Sequence, residues 1–200
     1  MNLQAFVLIV AAYLLGSIPS AYIMGRLVAG VDITQHGSGN VGGTNAFRVL
    51  GAGPAIVVAL VDVGKGFLPT LLAIRLLGGQ TWPTLCVALA AVLGHNYSLY
   101  LRLRGGKGIA TTIGVCFALF PKVIIILLLI AITVVAITRY VSVGSMLLVT
   151  LLPIVLTLKQ AALPEIQFGI IIAILGLWRH RSNLGRLLQG TENRLGSKAD

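Results

Sequence analysis

Seven apolar stretches alternate with short polar connections along the 200-residue chain, at residues 3–25, 53–77, 82–100, 109–120, 121–138, 143–159 and 165–179. A helix needs about 20 predominantly apolar residues to cross the hydrocarbon core of a bilayer. All but the fourth stretch approach that length. The pattern predicts an all-α, polytopic transmembrane helical bundle of about seven membrane helices, some short or kinked, with five full spans plus partial helices as the rival count. Leu3 to Met24 reads as a retained helix, because no basic residues precede it and no small-residue cleavage site follows. Pro54, Pro121 and Pro164 fall near expected helix starts, where a missing N–H is harmless, whereas Pro19, Pro69 and Pro153 fall inside stretches and should kink them. Broken helices at membrane depth usually line a cavity rather than face lipid.

Composition sharpens this picture. Hydrophobic residues make up 57% of the chain and charged residues 10%, which excludes a soluble globular domain and leaves one membrane-embedded domain over residues 1–200. The net charge of +10 by itself does not separate nucleic acid, lipid headgroups and anionic metabolites as partners, so position must decide. In alternate connections, eleven basic residues share one side: Arg26, Arg48, Arg102, Arg104, Lys107, Arg139, Arg179, Arg181, Arg186, Arg194 and Lys198. Arg75, Lys122 and Lys159 lie opposite, and Lys65 lies mid-span. The positive-inside rule then places the N-terminus outside and the C-terminus in the cytoplasm. Cys86 and Cys116 stand apart in apolar runs and read as small buried hydrophobes, and no cluster with metal-ligand spacing is evident.

Four donor-rich stretches fall on the inferred cytoplasmic side. The first, His36 to Arg48, sets four glycines among Ser38, Asn40, Thr44 and Asn45. Glycine lets backbone N–H groups converge on an anion, and the side chains add donors. Gly37 to Gly42 matches a dinucleotide fingerprint formally, but that motif has meaning only between a strand and a helix. The second stretch joins Gly94-His95-Asn96 to Arg104-Gly105-Gly106-Lys107-Gly108, just before a short apolar helix whose N-terminus favours an anion. A phosphate-loop reading fails there, since Leu101 stands where a glycine is needed and Gly108 where a hydroxyl is needed. The third places Ser142 and Ser145 after Arg139. The fourth puts His180 and Asn183 on one helical face after the last apolar stretch. Asp62 and Lys65, three residues apart within a span, share a face and form either a structural pair or part of a cavity. Convergence of these stretches on one phosphate-bearing ligand explains them better than four unrelated accidents.

Together, Gly37 to Arg48, Asp62-Val63-Gly64-Lys65-Gly66, Gly94-His95-Asn96 with Arg104 to Gly108, and Arg179-His180 with Asn183 resemble the bacterial acyl-phosphate:glycerol-3-phosphate acyltransferases of the PlsY type. The resemblance runs in order over nearly the whole chain. It implies transfer of a fatty acyl group from a long-chain acyl-phosphate to the 1-hydroxyl of glycerol 3-phosphate, forming lysophosphatidic acid as the first acylation of phospholipid biosynthesis. It also implies a multi-pass protein of the bacterial cytoplasmic (inner) membrane with its active site facing the cytoplasm. Its partners would be membrane lipid and, functionally, the soluble enzyme that makes acyl-phosphate, without nucleic acid. By the same resemblance Ser38, Thr44, Lys107, Ser145 and His180 are the catalytic set. Ser38, Gly39, Asn40, Asn45, Arg48, Gly106, Lys107, His180 and Asn183 would bind phosphate, supported by Asp62, Lys65, His95, Asn96 and Ser142.

The chemistry fits the residues. Acyl-phosphate is a mixed anhydride that brings its own leaving group, so no covalent acyl-enzyme, cofactor or metal is required. The protein must position two phosphates and stabilise the developing oxyanion. Soluble-domain acyltransferases carry a His followed five residues later by Asp, whereas those positions after His36, His95 and His180 are Val41, Tyr100 and Gly185. The attacking hydroxyl would release its proton to His180 or to a substrate phosphate oxygen. An organophosphate or anion transporter would also use broken helices and intramembrane charge, but should bind on both sides of the membrane. A scaffold would explain the hydrophobicity without the loops.

Overall fold

The computed structural model describes residues 2–79 and 81–196, and Lys198, counted with the cytoplasmic basic residues, lies outside them. Among the described residues the chain forms ten α-helices and no strand. They divide into two compact units, one up to Leu119 and one from Phe120 onward. Helices cover most of each of the seven apolar stretches, and among the described residues five segments are long and apolar enough, by length and composition, to cross a membrane: Leu3–Ala29, Ala52–Leu76, Thr81–Leu101, Pro121–Thr138 and Val141–Leu158.

The first unit contains α1 (Leu3–Ser17), α2 (Ser20–Ala29), α3 (Gly43–Leu50), α4 (Ala52–Leu76), α5 (Thr81–Asn96) and α6 (Ile109–Leu119). Pro19 ends α1, because its ring carries no N–H and crowds the preceding turn. An interruption inside an apolar helix strands carbonyl oxygens, which in lipid must find internal donors. Here the Ser17 carbonyl accepts from the Ser98 hydroxyl, and the Ile18 carbonyl accepts from Lys65 Nζ at 2.9 Å. Pro69 and Pro153, by contrast, sit inside continuous helices.

Small residues set the helix spacing. One buried cluster consists of Ala5, Ala12, Ala73, Leu77, Val87, Ala90 and Ala91, while large side chains such as Leu60 and Leu68 of α4 face outward. Between helices in lipid the attraction is van der Waals packing rather than water exclusion, which rewards backbones that come close. A Cβ on Gly16 of α1 would meet the Ala91 carbonyl, and one on Gly94 of α5 would meet that of Tyr13. The pair α4 and α6 repeats the device, with Gly66 against the Thr111 carbonyl and Gly114 against that of Val63. Cys116 is buried, as expected, but Cys86 is exposed, one turn beyond the exposed Trp82 on the outer face of α5.

The second unit contains α7 (Pro121–Thr138), α8 (Val141–Leu158), α9 (Leu163–Arg179) and α10 (Arg181–Leu188). Leu127, Leu148, Leu152, Phe168 and Ile172 are buried among α7, α8 and α9. After α10 the chain folds back so that the Leu195 N–H donates to the Arg139 carbonyl at 2.7 Å, and Arg194 Nε donates to the Tyr140 hydroxyl at 3.1 Å.

Because the Gly94 contact involves backbone on both sides, Gly94→Ala should force α1 and α5 apart at a cost of about 2 kcal/mol. Gly64→Ala, where an added Cβ meets nothing within 4 Å, should not lower stability. Thermal unfolding of the two purified variants in detergent checks the contrast.

Candidate active site

The glycine-rich segment after α2 is not a plain loop. Its second half is α3, an eight-residue helix headed by Gly43 and Thr44. Intrahelical bonding starts with the Asn45 and Ala46 N–H groups on the Gly42 carbonyl, so the amides of Gly43 and Thr44 stand at the positive end of the helix. Arg48 follows Thr44 by one turn on the same face. Gly37 and Gly39 adopt φ of +59° and +67°, values that L side chains rarely take, and the turn they make leaves Ser38 exposed. Asn40, Gly39 and Thr44 are half-buried around it.

Asn45 departs from the expectation that it donates to substrate. It is buried, and its Nδ2 donates to the carbonyls of Ile33 and His36 at 3.2 and 3.1 Å. Its Oδ1 accepts the Ser38 N–H at 2.8 Å. Both amide hydrogens are therefore committed to backbone, and Asn45 braces the turn that presents Ser38.

The Lys107 loop also differs from expectation at its glycines. The N–H groups of Gly105 and Gly106 donate to the carbonyls of Asn96 and His95, at 3.2 and 3.0 Å, instead of pointing at an anion. They satisfy the last carbonyls of α5, which a helix end otherwise leaves unpaired. The glycines are required by proximity: a Cβ on Gly105 would meet the His95 carbonyl, and one on Gly106 would meet the His95 ring. Lys107 is half-buried and immediately precedes Gly108, which hands the chain to α6. Asn96 lies buried beneath this loop.

Asp62 and Lys65 are both buried, and Lys65 Nζ lies 2.8 Å from Asp62 Oδ1. The same oxygen accepts the Ser20 hydroxyl at 2.6 Å and faces His95 Nδ1 at 3.6 Å. Three of the supporting residues thus form one cluster, with Ser20 as a member that sequence reasoning missed. Its only signal was a hydroxyl placed directly after the Pro19 break.

In the second unit, Nδ1 of His180 lies 2.8 Å from the Gly176 carbonyl. A carbonyl only accepts, so Nδ1 carries the hydrogen, and Nε2 of the neutral ring is the acceptor. Ser145 is half-buried in the first turns of α8. Glu192, which no sequence motif marks, is buried in this unit. Its Oε1 accepts from Ser142 Oγ at 2.8 Å and Asn183 Nδ2 at 2.7 Å, and its Oε2 accepts from Arg186 Nε at 2.7 Å. Ser142 and Asn183 are thereby joined through one carboxylate. The available signal was an isolated acid within a basic tail.

Burial pushes the Glu192 carboxyl up, but the bonds from Asn183, Ser142 and Arg186 outweigh this and hold it below its ordinary value. A depressed carboxylate contributes stability that is present above its unfolded pKa and is lost as pH falls through its folded one. Glu192→Gln should therefore destabilise the protein at pH 7, by about 2 kcal/mol for loss of charge-assisted bonds. The gap to the parent should close only as pH drops below the ordinary carboxylate range, measured as unfolding midpoints across pH.

Comparison with known proteins supplies the context for these residues. The family model described as glycerol-3-phosphate acyltransferase matches residues 6–190. A glycerol-3-phosphate acyltransferase of Halalkalibacterium halodurans is 45% identical, covering 98% of this chain and 97% of its own. One from Thermus thermophilus is 47% identical, covering 94% of each chain. Among solved structures, the glycerol 3-phosphate form of PlsY, an integral membrane glycerol 3-phosphate acyltransferase, superposes with a TM-score of 0.93 at 38% identity over 96% of both chains. Its lysophosphatidic acid form superposes at 0.90, over 98% of this chain and 97% of the other. The chain belongs to the glycerol-3-phosphate acyltransferase family.

Proposed function

We propose that this protein transfers a fatty acyl group from acyl-phosphate to the 1-hydroxyl of glycerol 3-phosphate, releasing lysophosphatidic acid and phosphate. The observation that carries the reading is the match over nearly the whole chain, at 38% identity and with TM-scores of 0.93 and 0.90, to a protein solved in a glycerol 3-phosphate form and a lysophosphatidic acid form. The chain acts as one acyltransferase domain, residues 1–200, in the cytoplasmic membrane, with the N-terminus outside and the reaction at the cytoplasmic face. The excess of basic residues in the connections on that side supports this orientation. Acyl-phosphate is supplied by a soluble enzyme that activates fatty acyl groups.

In the reaction the 1-hydroxyl oxygen attacks the acyl carbonyl carbon, the bond from that carbon to the phosphate oxygen breaks, and inorganic phosphate departs with the electron pair. Arg48 and Lys107, with the Ser38 and Thr44 hydroxyls and the amides heading α3, bind the phosphates and offset charge developing on the carbonyl oxygen. Ser145, His180 and Asn183 serve the same step. Because a good leaving group is built into the donor, positioning supplies most of the acceleration. The proton of the hydroxyl passes to Nε2 of His180 or to a phosphate oxygen of the substrate. A transporter reading has no observation in its favour beyond the intramembrane charges, which the α1–α2 break already accounts for.

Purified protein supplied with labelled glycerol 3-phosphate should form lysophosphatidic acid from palmitoyl-phosphate and not from palmitoyl-CoA. Lys107→Ala should lower that rate roughly 100-fold or more, the cost of removing one charge-stabilising donor. Product from the thioester would overturn the donor assignment. His180→Gln separates the proton routes: turnover close to the parent assigns the proton to the substrate, whereas a loss of roughly 100-fold or more in kcat, at unchanged KM, assigns it to His180.

A further inference from the structure

We propose that Asp62, acting through His95, is a positioning residue for Lys107, so that a buried charge pair in α4 sets the geometry of a loop that carries a reacting-site cation. The proposal rests on the acyltransferase reading for the role of Lys107, and on the following contacts for its own content. The His95 ring stands between two things. On one side its Nδ1 lies 3.6 Å from Asp62 Oδ1. On the other it fills the space above Gly106 Cα so fully that a Cβ there would come within van der Waals overlap of Nε2, Cε1 and Cδ2.

The backbone repeats the attachment. Gly106 and Gly105 donate to the carbonyls of His95 and Asn96, and Gly108, with φ of +82°, packs against the Asn96 amide. Both neighbours of Lys107 are therefore held against the last two residues of α5. Three of the five residues from Arg104 to Gly108 are glycines, the type with most conformational freedom to lose, so the loop has little stiffness of its own. Its geometry is imposed by what it leans on. The α5 terminus is oriented in turn by Asp62, which Ser20 and Lys65 hold at 2.6 and 2.8 Å, while Lys65 ties the pair to the Ile18 carbonyl. The carboxylate faces Nδ1, so it favours the tautomer with the proton there and leaves Nε2 turned toward Gly106. A chain of contacts runs from the α1–α2 break through Asp62 and His95 to the residue before Lys107.

The test is a double-mutant cycle with an activity-independent companion. Initial rates with palmitoyl-phosphate and glycerol 3-phosphate are measured for the parent, His95→Ala, Lys107→Ala and the double variant. Removing His95 should cost roughly 10- to 100-fold in kcat/KM by misplacing a group near the reaction. Added to Lys107→Ala it should cost less than about threefold more, because both changes remove the same placed cation. His95→Asn, whose amide nitrogen overlays Nδ1, should recover much of the loss. If His95→Ala does not fold, the pair Asp62→Asn with Lys65→Gln removes both charges together and enters the same cycle, avoiding an uncompensated buried lysine.

Amide hydrogen exchange over residues 103–109 is followed on the same proteins. Protection at Gly105 and Gly106 should fall in the His95 and Asp62/Lys65 variants while the helices α4 to α6 keep theirs. Fully multiplicative rate losses, unchanged protection in the loop, or His95→Ala at parental kcat/KM would each overturn the positioning role. A parent protein inactive with acyl-phosphate would instead overturn the acyltransferase reading, and the exchange measurement would still decide whether Asp62 and His95 order the loop.

Discussion

A carboxylate buried where lipid surrounds the protein needs donors, and much of the first unit's arrangement follows from supplying them to one oxygen of Asp62, Oδ1, while Oδ2 has no hydrogen-bond partner. Lys65 neutralises the charge from one turn away, Ser20 supplies a hydroxyl from the start of α2, and His95 approaches from the end of α5. Each donor has a second obligation. Lys65 caps the Ile18 carbonyl that Pro19 exposes, so the charge pair and the helix break stabilise one another. Without the break the ammonium would lack its carbonyl acceptor, and without the ammonium the carbonyl would be stranded in an apolar medium, a cost of several kcal/mol.

Close helix approach is the companion constraint. Four glycine contacts, Gly16 on the Ala91 carbonyl, Gly94 on that of Tyr13, Gly66 on that of Thr111 and Gly114 on that of Val63, bring α1 to α5 and α4 to α6 at backbone distance. The inside-out surface belongs to the same logic: large aliphatic side chains face outward, and alanines, glycines and the polar cluster occupy the interior.

The helices were legible in the sequence because a membrane span is a property of run length, and each apolar stretch was long or bounded by proline. The break at Pro19 was legible for the same reason, but not its repair, since Lys65 and Ser98 reach Ser17 and Ile18 only through folding. The segment from Gly43 to Leu50 hid its helix behind Gly, Thr and Asn, which favour turns in isolation. The glycines stand out in the sequence, but not the purpose of Gly105 and Gly106, whose N–H groups close the end of α5. Close approach to a partner helix and cradling of an anion leave the same residue type, and only the position of the His95 and Asn96 carbonyls separates them. Asn45 is a related case, because an amide that braces a turn and one that binds phosphate look alike along the chain. Glu192 needed the tail to fold back on α8 before its partners existed.

The acids of the described residues decide what kind of chemistry remains. Asp32 accepts from Thr34 and pairs with Arg26. Asp62 holds the α4 cluster, Glu165 caps the start of α9 through the Ala162 N–H, and Glu192 joins Ser142, Asn183 and Arg186. All four described carboxylates thus have structural partners. What is left in excess is cationic and hydroxylic: lysines, arginines, serines and threonines in the connections, with His180 holding its Nδ1 proton on a backbone carbonyl. Asp62 does face a histidine, His95, but both are buried and the same carboxylate oxygen also accepts from Ser20 and lies against Lys65, so the pair belongs to the α4 cluster. A cationic and hydroxylic set of this kind is suited to holding phosphate groups. Three of the four described carboxylates thus hold cations, Arg26, Lys65 and Arg186, and Glu165 holds a helix start, which leaves the phosphate of glycerol 3-phosphate to be met by the positive charge in the connections.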